Sequence, residues 1–231
     1  MSIAIDLHSQ SFLTKIKYMK KTVLIAMFLM SAFLSNAQID FANTRIELAG
    51  NYTMYKGDFQ QNTPGAKLRI AVPASEKITL GLGFTYGFPI KYASSVSLDP
   101  SGEAASELVF KFKTISFDAS YFFGGEKENG FNVYGQVGAG LILVNYEEQL
   151  KGSVPPGSSP IDQVEKTNEN GFTINLGLGG QYSFGRPKIF GEAQLALPAN
   201  QVNGAYVENV IPAHIIFNVG VRFSLGQGSD Y

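Results

Sequence analysis

The stretch GFTINLGLGGQYSF, residues 171–184, places Phe172, Ile174, Leu176, Leu178, Tyr182 and Phe184 on alternate positions, with Thr173, Asn175, Gly177, Gly179, Gln181 and Ser183 between them. Successive side chains of a strand point to opposite faces, so this is a ribbon with one bulky apolar face and one small polar face. Which face looks outward decides the fold. A water-soluble barrel fills its interior with the bulky face, whereas a membrane barrel turns that face to lipid and lines its lumen with the polar one.

About eight runs along the chain share this alternation. Ile46, Leu48, Tyr52 and Met54 oppose Arg45, Glu47, Asn51 and Thr53, and Leu68, Ile70 and Val72 oppose Lys67 and Arg69. Ile78, Leu80, Leu82, Phe84, Tyr86 and Phe88 oppose Thr79, Gly81, Gly83, Thr85 and Gly87. Ile115, Phe117, Ala119, Tyr121 and Phe123 oppose Thr114, Ser116, Asp118 and Ser120; Phe110 and Phe112 fall out of phase with them, which predicts a bulge near Lys113. Runs follow at residues 131–143, 171–184, 189–197 and 215–225, with Glu192 and Arg222 on the polar side of the last two. Connections alternate strictly between short (PASEK, GGEKENG, GRP) and long (residues 89–109, 145–170 and 198–213 among them). Short turns at one rim and long loops at the other predict an all-β, eight-stranded antiparallel up-and-down transmembrane barrel.

Charged residues make up 16% of the 231 residues and aromatics 13%, with 25 glycines, a composition poor in charge for a water-soluble domain. Cysteine is absent, which removes disulfides and thiol chemistry, and a net charge of -1 gives no nucleic-acid footprint. Residues 19–37 read as a secretory signal peptide: Lys20 and Lys21, an apolar run from Val23 to Leu34, then small residues ending at Ala37, after which cleavage is expected. The run is shorter than the roughly 20 apolar residues that a membrane helix needs. Residues 1–18 read as an upstream extension and residues 38–231 as the barrel. Cleavage removes Lys15, Lys17, Lys20, Lys21 and Asp6, taking the net charge from -1 to about -4.

The polar face carries Gly, Ser, Thr, Asn and Gln in place of the Lys and Glu that a solvent exterior would show, and aromatics cluster at strand ends as in interfacial girdles. Both features put lipid outside. The charges of the polar face, Arg45, Glu47, Lys67, Arg69, Asp118, Glu192 and Arg222, then lie inside, where they must pair to be tolerated. Eight strands leave an interior just wide enough for side chains, so a closed, salt-bridged lumen is expected and not a pore.

In the last run, Asn218, Gly220, Phe223 and Leu225 of NVGVRFSL resemble the barrel-assembly signal of outer-membrane proteins. With the signal peptide, the eight runs and the loop alternation, the chain resembles the small eight-stranded OmpA-transmembrane/OmpX-like barrels, including the PorT-type group. The residues GQGSDY after Leu225 depart from that pattern, which usually ends at the terminal aromatic. The resemblance implies insertion into the outer membrane, with outer-membrane lipid and the barrel-assembly machinery as partners. It implies no reaction, since such barrels range from anchors to adhesion and secretion factors and lipid-modifying enzymes.

Beyond residues 1–37, His214 is the one histidine. It could serve only as the base of a lipid-hydrolysing triad, and no G-x-S-x-G accompanies it, so an ordinary rim histidine is expected. Paired glycines such as Gly81/Gly83 never complete G-x-G-x-x-G, and no cofactor is expected. The sequon at Asn51–Thr53 lies mid-strand and is a chance pattern. Glu147, Glu148, Asp162, Glu165 and Glu169 could gather a cation, although they lack EF-hand spacing. A surface partner is expected, if anywhere, at the loops 91–107 and 147–170. The expected role is therefore structural or interactive, without catalysis; the alternatives are a barrel enzyme acting on outer-membrane lipid and an exported lipocalin-like carrier.

Overall fold

The computed structural model describes residues 43–56, 61–99, 102–152, 154–155, 157–161, 163–200 and 211–225; the proposed leader and its cleavage site lie outside them. Among the described residues ten strands follow one another: β1 (Arg45–Tyr55), β2 (Asn62–Pro73), β3 (Ile78–Gly87), β4 (Ile90–Asp99), β5 (Glu103–Phe122), β6 (Asn129–Leu150), the two-residue β7 (Ser159–Pro160), β8 (Thr167–Phe184), β9 (Pro187–Pro198) and β10 (His214–Ser224). Eight of them close a barrel in the order β1-β2-β3-β5-β6-β8-β9-β10, with β10 pairing back onto β1 and β3 pairing directly with β5. Every pairing is antiparallel. Closure leaves the barrel itself without an edge strand.

The registers fix the size of the cylinder. From Arg45 the cross-strand partners run through Ala71, Gly81, Asp118, Gly138, Asn175, Ala196 and His214 and return to β1 at Tyr55, ten residues farther along. With about 3.4 Å per residue and about 4.8 Å between strands, eight strands and this stagger give a tilt of about 41° and a backbone cylinder roughly 17 Å across. Inward side chains from both walls fill such a width. The 11 residues of β1 rise about 28 Å along the axis, close to the thickness of a hydrocarbon core.

Short turns join β2 to β3, β5 to β6 and β8 to β9 at one rim. Glycines stand where these turns demand positive φ, at Gly124 (84°) and Gly185 (88°). At the opposite rim, the segments expected as plain loops carry structure. Within the segment 91–107, expected as a loop, β4 pairs with the upper part of β5 from Ile90↔Phe110 to Ser97↔Glu103. β6 and β8 likewise continue past the barrel, Tyr146 pairing with Thr167, so the 147–170 connection opens as strand. The 20-residue β5, 22-residue β6 and 18-residue β8 thus project as a sheet beyond the shorter strands.

The opening ribbon is now decided. Phe172, Ile174, Leu176, Leu178, Tyr182 and Phe184 all face outward and are exposed, Leu178 by 66%, while Thr173, Asn175, Gln181 and Ser183 are buried inside. The same holds round the wall, from Leu48, Leu68 and Leu82 to Phe117, Val137, Ile189 and Val219. A continuous apolar belt of this extent is the surface that hydrocarbon, and not water, solvates. Tyr121 and Phe123, with ring centroids 5.7 Å apart, and Tyr182 and Phe184, 4.7 Å apart, crown the belt at the turn rim. Tyr86 and Phe88 do so at the other rim.

No bulge interrupts β5 near Lys113. Its register with β6 is unbroken from Ser106↔Leu150 to Phe122↔Tyr134. Phe110 and Phe112 stay in step with the inward residues Ser116, Asp118 and Ser120 and are buried with them. What changes is the chemistry of each face. Toward the turn rim, the outward residues of β5 include Ile115, Phe117 and Tyr121, and the inward Ser116, Asp118 and Ser120 are polar before Phe122 ends the strand. Past Lys113, the outward residues include Glu107, Lys111 and Lys113, and the inward Phe112, Phe110 and Leu108 are apolar before the polar Ser106. Its neighbour β6 inverts at the same level, with Ile142, Val144 and Tyr146 inside and Glu147 outside. Such an inversion within one unbroken strand is what a change of outer solvent, from lipid to water, requires of it.

Candidate functional site

The interior is layered. At the turn rim, Glu126 folds from the β5–β6 turn into the barrel mouth, where it meets Arg45 at 2.5 Å and Lys188 at 2.6 Å and accepts a hydrogen bond from Gln181 Nε2 at 2.8 Å. Burial works against the charge on Glu126, but the two cations and the hydrogen bonds from Lys188 and Gln181 outweigh it, so its carboxyl titrates below the ordinary 4.5. Neither Glu126 nor Lys188 stands out in the sequence. Glu126 lies in a turn that reads as solvated, and Lys188 sits at the end of a run whose neighbour Arg186 belongs to a turn.

Above this mouth lies the main ion-paired layer. Arg69, on β2, donates through Nη1 to Glu47 of β1 at 2.5 Å, through Nε to Asp118 of β5 at 3.2 Å, and through Nη2 to Asp118 again. Arg222, on β10, lies 3.0 Å from Glu47 through Nε and 3.6 Å from Glu192 through Nη2. It also donates to Gln181 Oε1 at 2.5 Å and to the Tyr134 hydroxyl at 2.7 Å. Its guanidinium stacks on the rings of Phe190 and Tyr134, 4.1 and 4.7 Å from their centroids. Lys67 closes the layer by donating to Glu192 Oε1 at 2.6 Å, and Tyr134 donates to Glu192 Oε2 at 2.9 Å. All seven charges expected inside are therefore inside and paired. Six form one network across β1, β2, β5, β9 and β10, while Arg45 belongs to the separate cluster at the mouth.

Glycine makes this density possible. Gly81 lies on β3, directly under the Arg69 guanidinium, and Gly179 lies on β8 under the Tyr134 ring; a Cβ at either place would overlap those groups. The alternating glycines of the sequence are thus seats for large inward side chains from neighbouring strands.

Amides and hydroxyls come next. Asn218 donates to Glu192 Oε1 at 3.1 Å, and Gln194 donates to Gln136 at 2.5 Å and to Glu192 at 3.0 Å. Asn51 and Asn175 line the same level, each with at least one buried amide atom lacking a protein partner. Toward the loop rim, the lumen is closed by an apolar plug of Tyr55, Ile90, Phe110, Phe112, Ile142, Val144, Tyr146, Val164 and Ile211. Its rings stack closely, Tyr55 on Phe112 at 4.8 Å and Phe110 on Tyr146 at 5.4 Å. An entirely polar lumen was the expectation from sequence. The plug was hidden because its residues occupy inward positions where the strands have already left the belt.

The remaining candidates fall as follows. His214 is buried beside the plug, its Nδ1 3.0 Å from the Pro212 carbonyl oxygen and its ring 5.2 Å from that of Tyr55. Glu147 and Glu148 take opposite faces of β6: Glu147 pairs outward with Lys111 at 3.3 Å, and Glu148 accepts inward from the Ser106 hydroxyl and from the Val164 amide at 3.2 Å. Asp162 lies outside the described residues, and among those described no group of three or more His, Asp or Glu side chains could hold a metal ion. In the proposed assembly signal, Asn218 points into the lumen network and Phe223 and Leu225 point outward. Gly220 leaves no room for a Cβ beside the Leu48 carbonyl. Residues 226–231 lie outside the described set.

No protein-family model matches the chain, and no curated protein matches it in sequence. Among solved structures, the outer-membrane protein OprG from Pseudomonas aeruginosa is similar at 12% identity with a TM-score of 0.50, over 80% of this chain and 96% of that one. Ail, the attachment invasion locus protein of Yersinia pestis, matches at 12% identity and a TM-score of 0.48, over 79% and 97%. Neisserial surface protein A matches at 16% and 0.47, over 78% and 96%. The likeness is one of fold: the chain folds as a small eight-stranded barrel of the outer-membrane kind.

Proposed function

We propose that this chain is an integral outer-membrane protein with a sealed barrel, whose role is structural or interactive and is carried by the sheet projecting from its loop rim, without catalysis. The observation that carries this reading is the conjunction of an apolar belt outside with an ion-paired layer and an aromatic plug inside. A wall of that kind needs lipid, and a lumen so filled gives solutes no passage. The non-catalytic part is supported by the commitments of the polar groups. His214 is turned to a backbone carbonyl under the plug, and the buried acids are each engaged by cations or hydroxyls. The barrel-assembly machinery is the partner this reading implies for insertion, and the projecting sheet of β4 with the extensions of β5, β6 and β8, within the segments 91–107 and 147–170, is the surface offered to others.

Cell fractionation followed by electrophoresis with and without boiling tests the reading. It predicts a protein in the outer-membrane fraction whose unheated form migrates differently from the boiled one. A protein recovered in soluble form without a mobility shift overturns it and favours the lipocalin-like alternative. In planar bilayers, the same reading predicts no steady conductance.

A further inference from the structure

The outward face of the β4–β5–β6 sheet carries Lys113, Lys111 and Lys91 in succession beyond the apolar belt, with Lys151 farther out beside Ala105. We propose that this collar binds the phosphate of a lipid headgroup in the leaflet at the loop rim, the acyl chains lying on the belt below it. The proposal rests on the membrane reading given above.

The register assembles the collar. Lys91 stands opposite Val109 and so shares a face with Lys111 and Lys113, two and four residues farther along β5. Lys113 stands opposite Tyr86 on one side and Leu143 on the other, one outward position above the exposed Ile115. Four carboxylates share this face: Glu147 stands level with Lys91, and Glu107, Glu103 and Asp99 lie farther from the belt. Glu107 is held between Lys91 and Lys151, 2.9 Å from each, and Glu147 lies 3.3 Å from Lys111. Among the described residues no carboxylate lies within ion-pair distance of Lys113. The levels nearest the belt therefore hold Lys113, Lys111 and Lys91 against Glu147 alone, an excess of positive charge where the strands change solvent, and the remaining carboxylates balance it farther out.

A phosphorylated lipid matches this surface in both its parts, chains against Ile115, Phe117 and Tyr86 and phosphate against the ammonium groups. A soluble anion would use only the second. Lysine stems can lie along apolar surface while their heads reach headgroup depth, and a lysine near an anionic surface contributes about fivefold in association.

The test is a titration of the full barrel, folded in maltoside micelles, with short-chain phosphatidic acid bearing a fluorophore on its acyl chain and with phosphatidylcholine of the same chains, read by anisotropy. Phosphatidic acid is expected to bind at least about tenfold tighter, as two or more lysines would give. The triple variant Lys91→Gln, Lys111→Gln, Lys113→Gln should lose that preference, whereas Lys77→Gln with Lys127→Gln, at the turn rim, should keep it. Equal binding of the two lipids, a preference that survives in the triple variant, or full competition by inorganic phosphate overturns the proposal. Heat-modifiability of each sample separates this failure from the other: a protein that never adopts a heat-modifiable form in micelles contradicts the membrane reading itself.

Discussion

Single residues in the lumen are held by charge and by space. Arg69 serves two acids at once, Glu47 and Asp118, and is 1% exposed. Removing it strands Asp118 in a low-dielectric interior and leaves Glu47 with Arg222 alone, so Arg69→Ala is expected to cost about 3–5 kcal/mol, read as a lower urea midpoint in lipid vesicles. Gly81→Val should lower the midpoint as well, because the new side chain would occupy the guanidinium's seat. Glu126 gives the pH dependence. Its folded carboxyl titrates below 4.5, so its stabilisation is present above that value and is lost as the pH falls through the lower folded value. Urea midpoints of the wild type should fall over that acid window, and Glu126→Gln should be weaker at neutral pH by about 2–3 kcal/mol and flatter below pH 4.5. A variant whose acid profile overlays that of the wild type would remove Glu126 from the account.

At the scale of the strand, β5 holds the most information. Its outward residues pass from Phe117 and Ile115 to Lys113, Lys111 and Glu107 with the register intact. Phe117→Lys, within the belt, is expected to cost about 2–4 kcal/mol. Ala105→Lys, exposed on the same face beyond the inversion, should stay within about 0.5 kcal/mol. Equal costs would mean that the two segments share one outer solvent. Phe112→Ala should destabilise by about 3–5 kcal/mol by opening the plug. Sequence periodicity was enough to find all eight barrel strands and the inward position of Arg45, Glu47, Lys67, Arg69, Asp118, Glu192 and Arg222, but it passed over Lys188. It failed at Phe110 and Phe112, because a phase break was attributed to the backbone when the surroundings had changed. It also missed β4, whose exposed Ser94, Ser95 and Ser97 read as loop, and Glu126, whose inward course depends on Arg45 and Lys188 arriving from distant strands.

The described residues form a closed cylinder carrying an open sheet, and the two parts divide the work. Closure, stagger and the ion-paired layer belong to the barrel. The projecting residues of β4 and β5 join the plug through Ile90, Phe110 and Phe112, with Tyr92 and Leu108 packed beside them. Replacing residues 94–106 by a short Gly-Ser turn should therefore leave the heat-modifiable form intact, and its loss would show that the hairpin is needed for the barrel to form. All of this depends on the bulky residues meeting lipid. The absence of cysteine lets single cysteines be placed along residues 172–178, spin-labelled in reconstituted bilayers, and compared for accessibility to oxygen and to a water-soluble nickel chelate. Oxygen accessibility should peak at positions 172, 174, 176 and 178 and drop at 173, 175 and 177, with the chelate excluded from the outward set; chelate access at the outward positions would contradict the account.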